Sequence, residues 1–144
     1  MHIPLNRVLC VEDHLRTGQM MKCLLKIWNY EVVLAQTAAD AFRQLQSENF
    51  DLCLLDTSLP DESGFELCKR IRQFNGHTPI VFISGHAYEA DKKLGLQAGA
   101  HAYLTKPLNF DLLKETMAQL IAQAMSESSL GKPEESLTVQ DRQS

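Results

Sequence analysis

The chain has 144 residues, 44% of them apolar and 22% charged, and 14 Lys and Arg against 18 Asp and Glu leave a formal charge of -4. That length fits one domain, and the composition excludes collagen-like, low-complexity and wholly disordered chains. A net acidic chain is a poor ligand for a phosphate backbone, so no direct nucleic-acid partner is expected. No window reaches the roughly 18 apolar residues of a membrane span, and the N-terminus lacks an apolar signal core. The expected setting is therefore cytoplasmic, with no membrane partner. Cys10, Cys23, Cys53 and Cys68 form no Cys-x-x-Cys pair, and three of them sit inside apolar stretches, as reduced and buried thiols would.

The first apolar run, Arg7 to Val11, predicts a strand without polar alternation, as in a sheet covered on both faces. His14 to Trp28 carries helical period, with Leu24, Leu25 and Trp28 on one stripe and Asn29 where a left-handed terminator belongs. Tyr30 to Leu34 reads as a second strand whose Glu31 fits a sheet edge. Thr37, with Asp40 three residues on, resembles a capping box that opens a second helix. The third strand is Asp51 to Leu55. Ser63 with Glu66 opens a third helix, whose Phe65, Leu67 and Ile71 can face inward. Pro79 to Ile83 is the fourth strand, and Gly99 ends a helix before the fifth, Ala100 to Leu104. Asn109 caps the last helix, in which Leu113, Met117, Leu120 and Ile121 form the longest apolar stripe. From Ser126 to Ser144 only 3 of 19 residues are aliphatic, with 4 acidic and 2 basic, so residues 1–125 are expected to form the domain and 126–144 a disordered tail or cut linker.

Strand then helix, five times over, predicts an α/β fold with a doubly wound five-stranded parallel sheet. Ligands of such sheets bind beyond the carboxyl ends of the strands. There the runs end in Glu12-Asp13, Asp56, Ser84-Gly85 and Lys106-Pro107. Crowded carboxylates repel one another, and a hard cation such as Mg²⁺ relieves that repulsion. A lysine beside them offers charge to a phosphoryl oxygen, and a hydroxyl offers a hydrogen bond. Singly, each residue has a plainer reading: Asp56 as a turn residue, Glu12 and Asp13 as helix caps, Lys106 as a solvated loop lysine, Tyr103 as half-buried packing. Gathered at one edge, they favour chemistry. His14, His77, His86 and His101 show no ligand spacing and read as surface or loop histidines.

The segments Val8-Leu9-Cys10-Val11-Glu12-Asp13, Asp51-Leu52-Cys53-Leu54-Leu55-Asp56 with Leu59-Pro60 and Gly64, Val81-Phe82-Ile83-Ser84-Gly85, Ala98-Gly99-Ala100 and Tyr103-Leu104-Thr105-Lys106-Pro107 stand in one order. In that order and spacing, over about residues 6 to 125, the chain resembles the receiver domain of two-component response regulators. The resemblance implies a flavodoxin-like receiver fold with strand order 2-1-3-4-5. It implies a phosphorylation-controlled switch that takes a phosphoryl group from a sensor histidine kinase or a histidine phosphotransfer protein. Asp56 would be the phosphoacceptor, with Glu12, Asp13, Asp56 and the backbone carbonyl of Ser58 around Mg²⁺. Lys106 and Ser84 would stabilise the phosphoryl group, Ser84 and Tyr103 would form the switch, and the Lys106-Pro107 bond would be cis. Ser58 and His86 would flank the path of hydrolytic water, and both leave it open, which implies a short phosphoryl lifetime.

The resemblance further implies a partner face on the fourth helix, fifth strand and fifth helix, for a downstream protein target or a phosphorylation-dependent homodimer. No catalysis beyond the domain's own phosphorylation and dephosphorylation is expected. Glu12 stands where Asp is more usual, Ser84 where Thr is, and Asn29 where Gly is, yet no functional group is lost. An aspartyl phosphatase would want a second acid where Ser58 stands, and a nucleotide enzyme would want a glycine motif that the chain lacks. A non-phosphorylated scaffold of the same fold, or a receiver cut from a larger regulator or hybrid kinase, are the alternatives.

Overall fold

Strands and helices alternate throughout the computed structural model, which describes residues 5–130. In order they are β1 (Asn6–Val11), α1 (Leu15–Ile27), β2 (Tyr30–Ala35), α2 (Ala38–Ser47) and β3 (Leu52–Asp56). There follow α3 (Gly64–Phe74), β4 (Ile80–Ser84), α4 (Glu89–Gln97), β5 (Ala102–Thr105) and α5 (Phe110–Leu130). All the strand pairs are parallel, and the sheet order is β2-β1-β3-β4-β5, as the sequence led us to expect.

The unbroken apolar runs are explained by the pleat. In β1, Leu9 and Val11 point into one core while Val8 and Cys10 point into the other, and Cys53 with Leu55 and Leu52 with Leu54 divide in the same way on β3. The first core is closed by α2 and α3, through Leu45, Leu67 and Ile71, and the second by α1 and α5, through Leu25, Leu113 and Met117. Each fully buried aliphatic side chain is worth about 1.5–3 kcal/mol, so strands buried on both faces carry much of the stability.

Helix ends follow local chemistry. The Thr37 and Ser63 hydroxyls accept hydrogen bonds from the Asp40 and Glu66 N–H groups at 3.0 and 3.2 Å, and Asn109 Oδ1 accepts from Leu112 N–H at 3.0 Å. Asn29 takes φ 70° after α1 and Gly99 takes φ 114° after α4. Ala100 still bonds back to α4, its N–H donating to the Gly95 carbonyl at 3.2 Å, and β5 begins at Ala102 rather than at Ala100. Asp51 falls just outside β3, and its carboxylate accepts the Arg7 backbone N–H at 2.7 Å. The Arg7 side chain then clasps this end of the sheet, bonding Glu31, Glu48 and the Asn49 carbonyl.

One boundary needs correction. Helix α5 continues through Leu130, past the limit at Met125 that the thinning of aliphatic residues suggested. Few apolar side chains do not stop a helix when the residues are otherwise fair helix formers. The remainder of the expected tail lies outside the described residues. Among the described residues no helix is long and apolar enough to cross a membrane. Cys10, Cys53 and Cys68 are buried free thiols, and Cys23 is exposed.

Candidate functional site

The strands end together at one edge, and the crevice lies where the winding reverses between β1 and β3. Asp56 closes β3 and Ser84 closes β4, both buried, while Glu12 follows β1 and is also buried. Two backbone bonds hold the flanking turns in register, from Glu12 N–H to the Ala35 carbonyl at 2.9 Å and from Lys106 N–H to the Ser84 carbonyl at 2.8 Å. The Lys106-Pro107 peptide bond is cis.

Lys106 Nζ stands 3.7 Å from Glu12 Oε1 and 3.8 Å from Asp56 Oδ2. These are Coulombic separations, beyond hydrogen-bond reach. A single, partly exposed ammonium thus faces two buried carboxylates, and Asp13 adds a third acid beside Glu12. Beneath them a cavity of about 200 Å³ is floored by Cys10, Met21, Leu54 and Ile83. Burial in this apolar setting pushes the Glu12 carboxyl above its ordinary value, and the hydrogen bond from the His14 N–H opposes the rise.

The loop after Asp56 is closed by local contacts. The Ser58 N–H donates to Asp56 Oδ1 at 3.0 Å, Gly64 N–H donates to the Thr57 carbonyl at 2.9 Å, and Ser58 bridges Ser63. Gly64 is there because of the approach: a Cβ on it would lie 2.3 Å from the Asp56 carbonyl oxygen. The loop is also tied outward, since the Asp61 carboxylate accepts the Ala38 and Ala39 N–H groups at the start of α2, at 2.8 and 2.9 Å. These bonds hold the Asp61 carboxyl below its ordinary value.

Ser84 Oγ accepts hydrogen bonds from Thr57 Oγ1 at 2.8 Å and from His86 N–H at 3.0 Å. Both acceptor positions of the hydroxyl are used, leaving its own O–H as the free donor. The Tyr103 hydroxyl donates to the His86 carbonyl at 2.9 Å, and its ring packs near Phe82 with centroids 6.1 Å apart. A Cβ on Gly95 would come within 3.0 Å of that ring, so α4 lies close over it. The side chains of Ser58 and His86 are exposed at the rim.

The sequence-derived set Glu12, Asp13, Asp56, Ser58, Ser84 and Lys106 is therefore brought to one edge, with Tyr103 and His86 at its margin. Three contributors went unread. Thr57 is buried beside Ser84, Asp61 anchors the loop, and His14 Nδ1 lies 3.3 Å from Glu12 Oε2 and 3.4 Å from Asp13 Oδ1. None has a sequence signal of its own, because each acts through a partner or turn that only the folded chain supplies.

Comparison with known proteins gives the family of the chain. The model of the response regulator receiver domain family matches residues 8–118, and the chain belongs to that family. It is 34% identical over 115 residues to the transcriptional regulatory protein ZraR of Salmonella typhimurium, covering 80% of this chain and 26% of that one. The chain thus spans about a quarter of the length of that curated relative. Among solved structures it is similar to a CheY-like response regulator receiver domain protein of Methanospirillum hungatei, with TM-score 0.79 and 32% identity over 86% of this chain and 100% of that one. It is likewise similar to the response regulator TrrA of Thermotoga maritima in complex with Mg²⁺-BeF, with TM-score 0.74 and 32% identity over 81% of this chain and 99% of that one.

Proposed function

We propose that Asp56 accepts a phosphoryl group from the phosphohistidine of a partner kinase or phosphotransfer protein, and that the resulting change is read by a downstream protein. The observation that carries this reading is the placement of Lys106 Nζ at 3.7 and 3.8 Å from two buried carboxylates. An Asp56 oxygen attacks phosphorus as the phosphorus–nitrogen bond breaks, leaving neutral imidazole on the partner and an acyl phosphate on Asp56. Hydrolysis later returns the carboxylate and inorganic phosphate. Such a displacement needs alignment and charge neutralisation more than covalent help.

The donor set fits Mg²⁺, because buried acids facing one ammonium leave negative charge that a hard cation with oxygen ligands balances. Glu12, Asp13, Asp56 and the Ser58 carbonyl would hold it, and the Mg²⁺-BeF complex of TrrA supports the assignment. Bound there, Mg²⁺ supplies charge neutralisation at the phosphoryl oxygens. Lys106 pairs with a further oxygen, and the free O–H of Ser84 is available to donate to another. A shift of Ser84 pulls on Thr57 and His86, and the His86 carbonyl holds Tyr103. That chain of bonds links Asp56 to the face of α4, β5 and α5, where Tyr88, Leu94 and Leu96 are exposed. Target binding or self-association on that face, in the cytoplasm, completes the proposal. A place within a longer regulator is compatible with the same chemistry.

The test is incubation with acetyl phosphate followed by intact-mass analysis. One phosphoryl adduct should form with Mg²⁺, none in EDTA, and none in Asp56→Asn. Full labelling of Asp56→Asn, or equal labelling in EDTA, refutes the assignment.

A further inference from the structure

The pleat sets Ser84 and Asp56 on different sides of the sheet. Leu55 and Phe82 point into the core closed by α2 and α3, and two residues further on Thr57 and Ser84 continue that side, whereas Asp56 follows Leu54 toward α1 and α5. There Ser84 is fully buried, and its Oγ accepts the Thr57 hydroxyl at 2.8 Å, a full-strength O–H···O separation, and the His86 N–H at 3.0 Å. The two bonds differ in what they allow. The His86 N–H lies on the same turn as Ser84 and can travel with it. Thr57 stands at the end of the neighbouring strand, where its carbonyl accepts the Gly64 N–H at 2.9 Å. Its side chain is buried, and a β-branched residue has few χ1 settings, so Thr57 cannot follow Ser84. Ser84 is its one side-chain hydrogen-bond acceptor among the described residues.

A Ser84 hydroxyl that turns toward a phosphoryl group on Asp56 must cross the sheet edge and give up the Thr57 bond, which leaves a buried hydroxyl without its acceptor. We propose that Thr57 is a positioning residue that latches Ser84, its hydroxyl bond holding the unphosphorylated arrangement and setting how readily a phosphoryl group on Asp56 converts the domain. The latch rests on the reading of Asp56 as phosphoacceptor and Ser84 as the group that answers it. It adds that the threshold of the switch lies in a side chain on the far side of the sheet from the acid site. Removing the Thr57 hydroxyl while keeping the shape of the side chain lowers that threshold, because only the unphosphorylated arrangement loses a bond.

The test is the affinity of the full chain for beryllofluoride, a phosphoryl mimic, at fixed Mg²⁺, read by NMR titration. Thr57→Val, which keeps the shape, and Thr57→Ala should both bind it about five- to tenfold more tightly than the wild type, the scale of one buried hydroxyl bond. Thr57→Ser keeps the hydroxyl and should return to the wild-type value. Placed on Ser84→Ala, Thr57→Val should change the affinity by less than about twofold, because the bond that it removes is already absent. Three results overturn the latch: unchanged or weaker binding by Thr57→Val and Thr57→Ala, an equal gain in Thr57→Ser, or the same gain on the Ser84→Ala background. If the wild type binds beryllofluoride and the variants gain nothing, the latch alone is refuted. A wild type that binds none refutes the phosphoacceptor reading, and the latch with it.

Discussion

Gly64→Ala is the sharpest test of how the site is held. The added Cβ would lie 2.3 Å from the Asp56 carbonyl oxygen and 2.9 Å from Thr57 Cα. An ordinary carbon–oxygen contact is about 3.3 Å, so the start of α3 and the end of β3 must separate by about 1 Å. Both obstacles are backbone, and no rotamer relieves them. Overpacking of this kind costs about 1–3 kcal/mol, and the upper half of that range applies. For a domain of this size, that is a fall in Tm of about 8–12 °C. The moved atoms belong to Asp56, the proposed phosphoacceptor, and to the turn carrying Ser58, and a misplacement of about 1 Å costs reacting groups about 100-fold in rate. Calorimetry and the initial rate of acetyl phosphate labelling read the two effects. Gly76→Ala is the control, since nothing lies within 4 Å of its added Cβ. Its Tm should change by less than about 2 °C, the scale of an ordinary surface substitution. If the two variants melt together, or Gly64→Ala labels at the wild-type rate, the close approach does not hold the site.

Three further outcomes follow from named contacts. Asp61→Ala removes the anchor of α2 and should lower Tm by about 4 °C at pH 7, the scale of one lost cap. Because the Asp61 carboxyl is held below its ordinary value, its stabilisation is present at neutral pH and disappears as pH falls through the folded-state value; a difference in Tm that stays constant into acid contradicts the anchor. Burial, then the nearby Arg72, lower the His101 pKa, and its Nδ1 faces donors on Arg72 and Ile80 at 3.3 and 3.4 Å. Folding favours the neutral ring, so stability should decline as pH drops below about 6.5, and His101→Gln should flatten that limb in thermal melts. Ser58→Arg should slow loss of the phosphoryl group after donor removal, as a long cation screens the approaching water; unchanged decay assigns control of access elsewhere.

Much of this molecule was legible because its signals are local. The Thr37, Ser63 and Asn109 caps, the left-handed Asn29 and Gly99 and the unbroken apolar runs each act within a few residues. They fixed the element order, and the strand ends then assembled Glu12, Asp56, Ser84 and Lys106. What escaped depends on distant partners. Asp61 satisfies amides of a helix more than twenty residues earlier in the chain. Thr57 matters through Ser84, and His14, exposed as a surface histidine should be, brings its Nδ1 to 3.3 Å from Glu12 Oε2 only through the folded turn. The end of α5 escaped for another reason: apolar periodicity reports burial, and an exposed helix can outlast it.

The alternation of core residues along the strands also divides labour within the domain. Asp56 continues the even-numbered residues of β3, and Glu12 those of β1, on the side covered by α1 and α5. Ser84 and Tyr103 continue the residues on the opposite side, toward α3 and α4. The sheet is therefore a partition with the acid site on one side and Ser84 and Tyr103 on the other. The route across runs over its edge, through the turns after Asp56 and Ser84. Because the two faces are lined by different side chains, substitutions can accumulate on one side without disturbing the other, so long as the few bonds that cross the edge are kept.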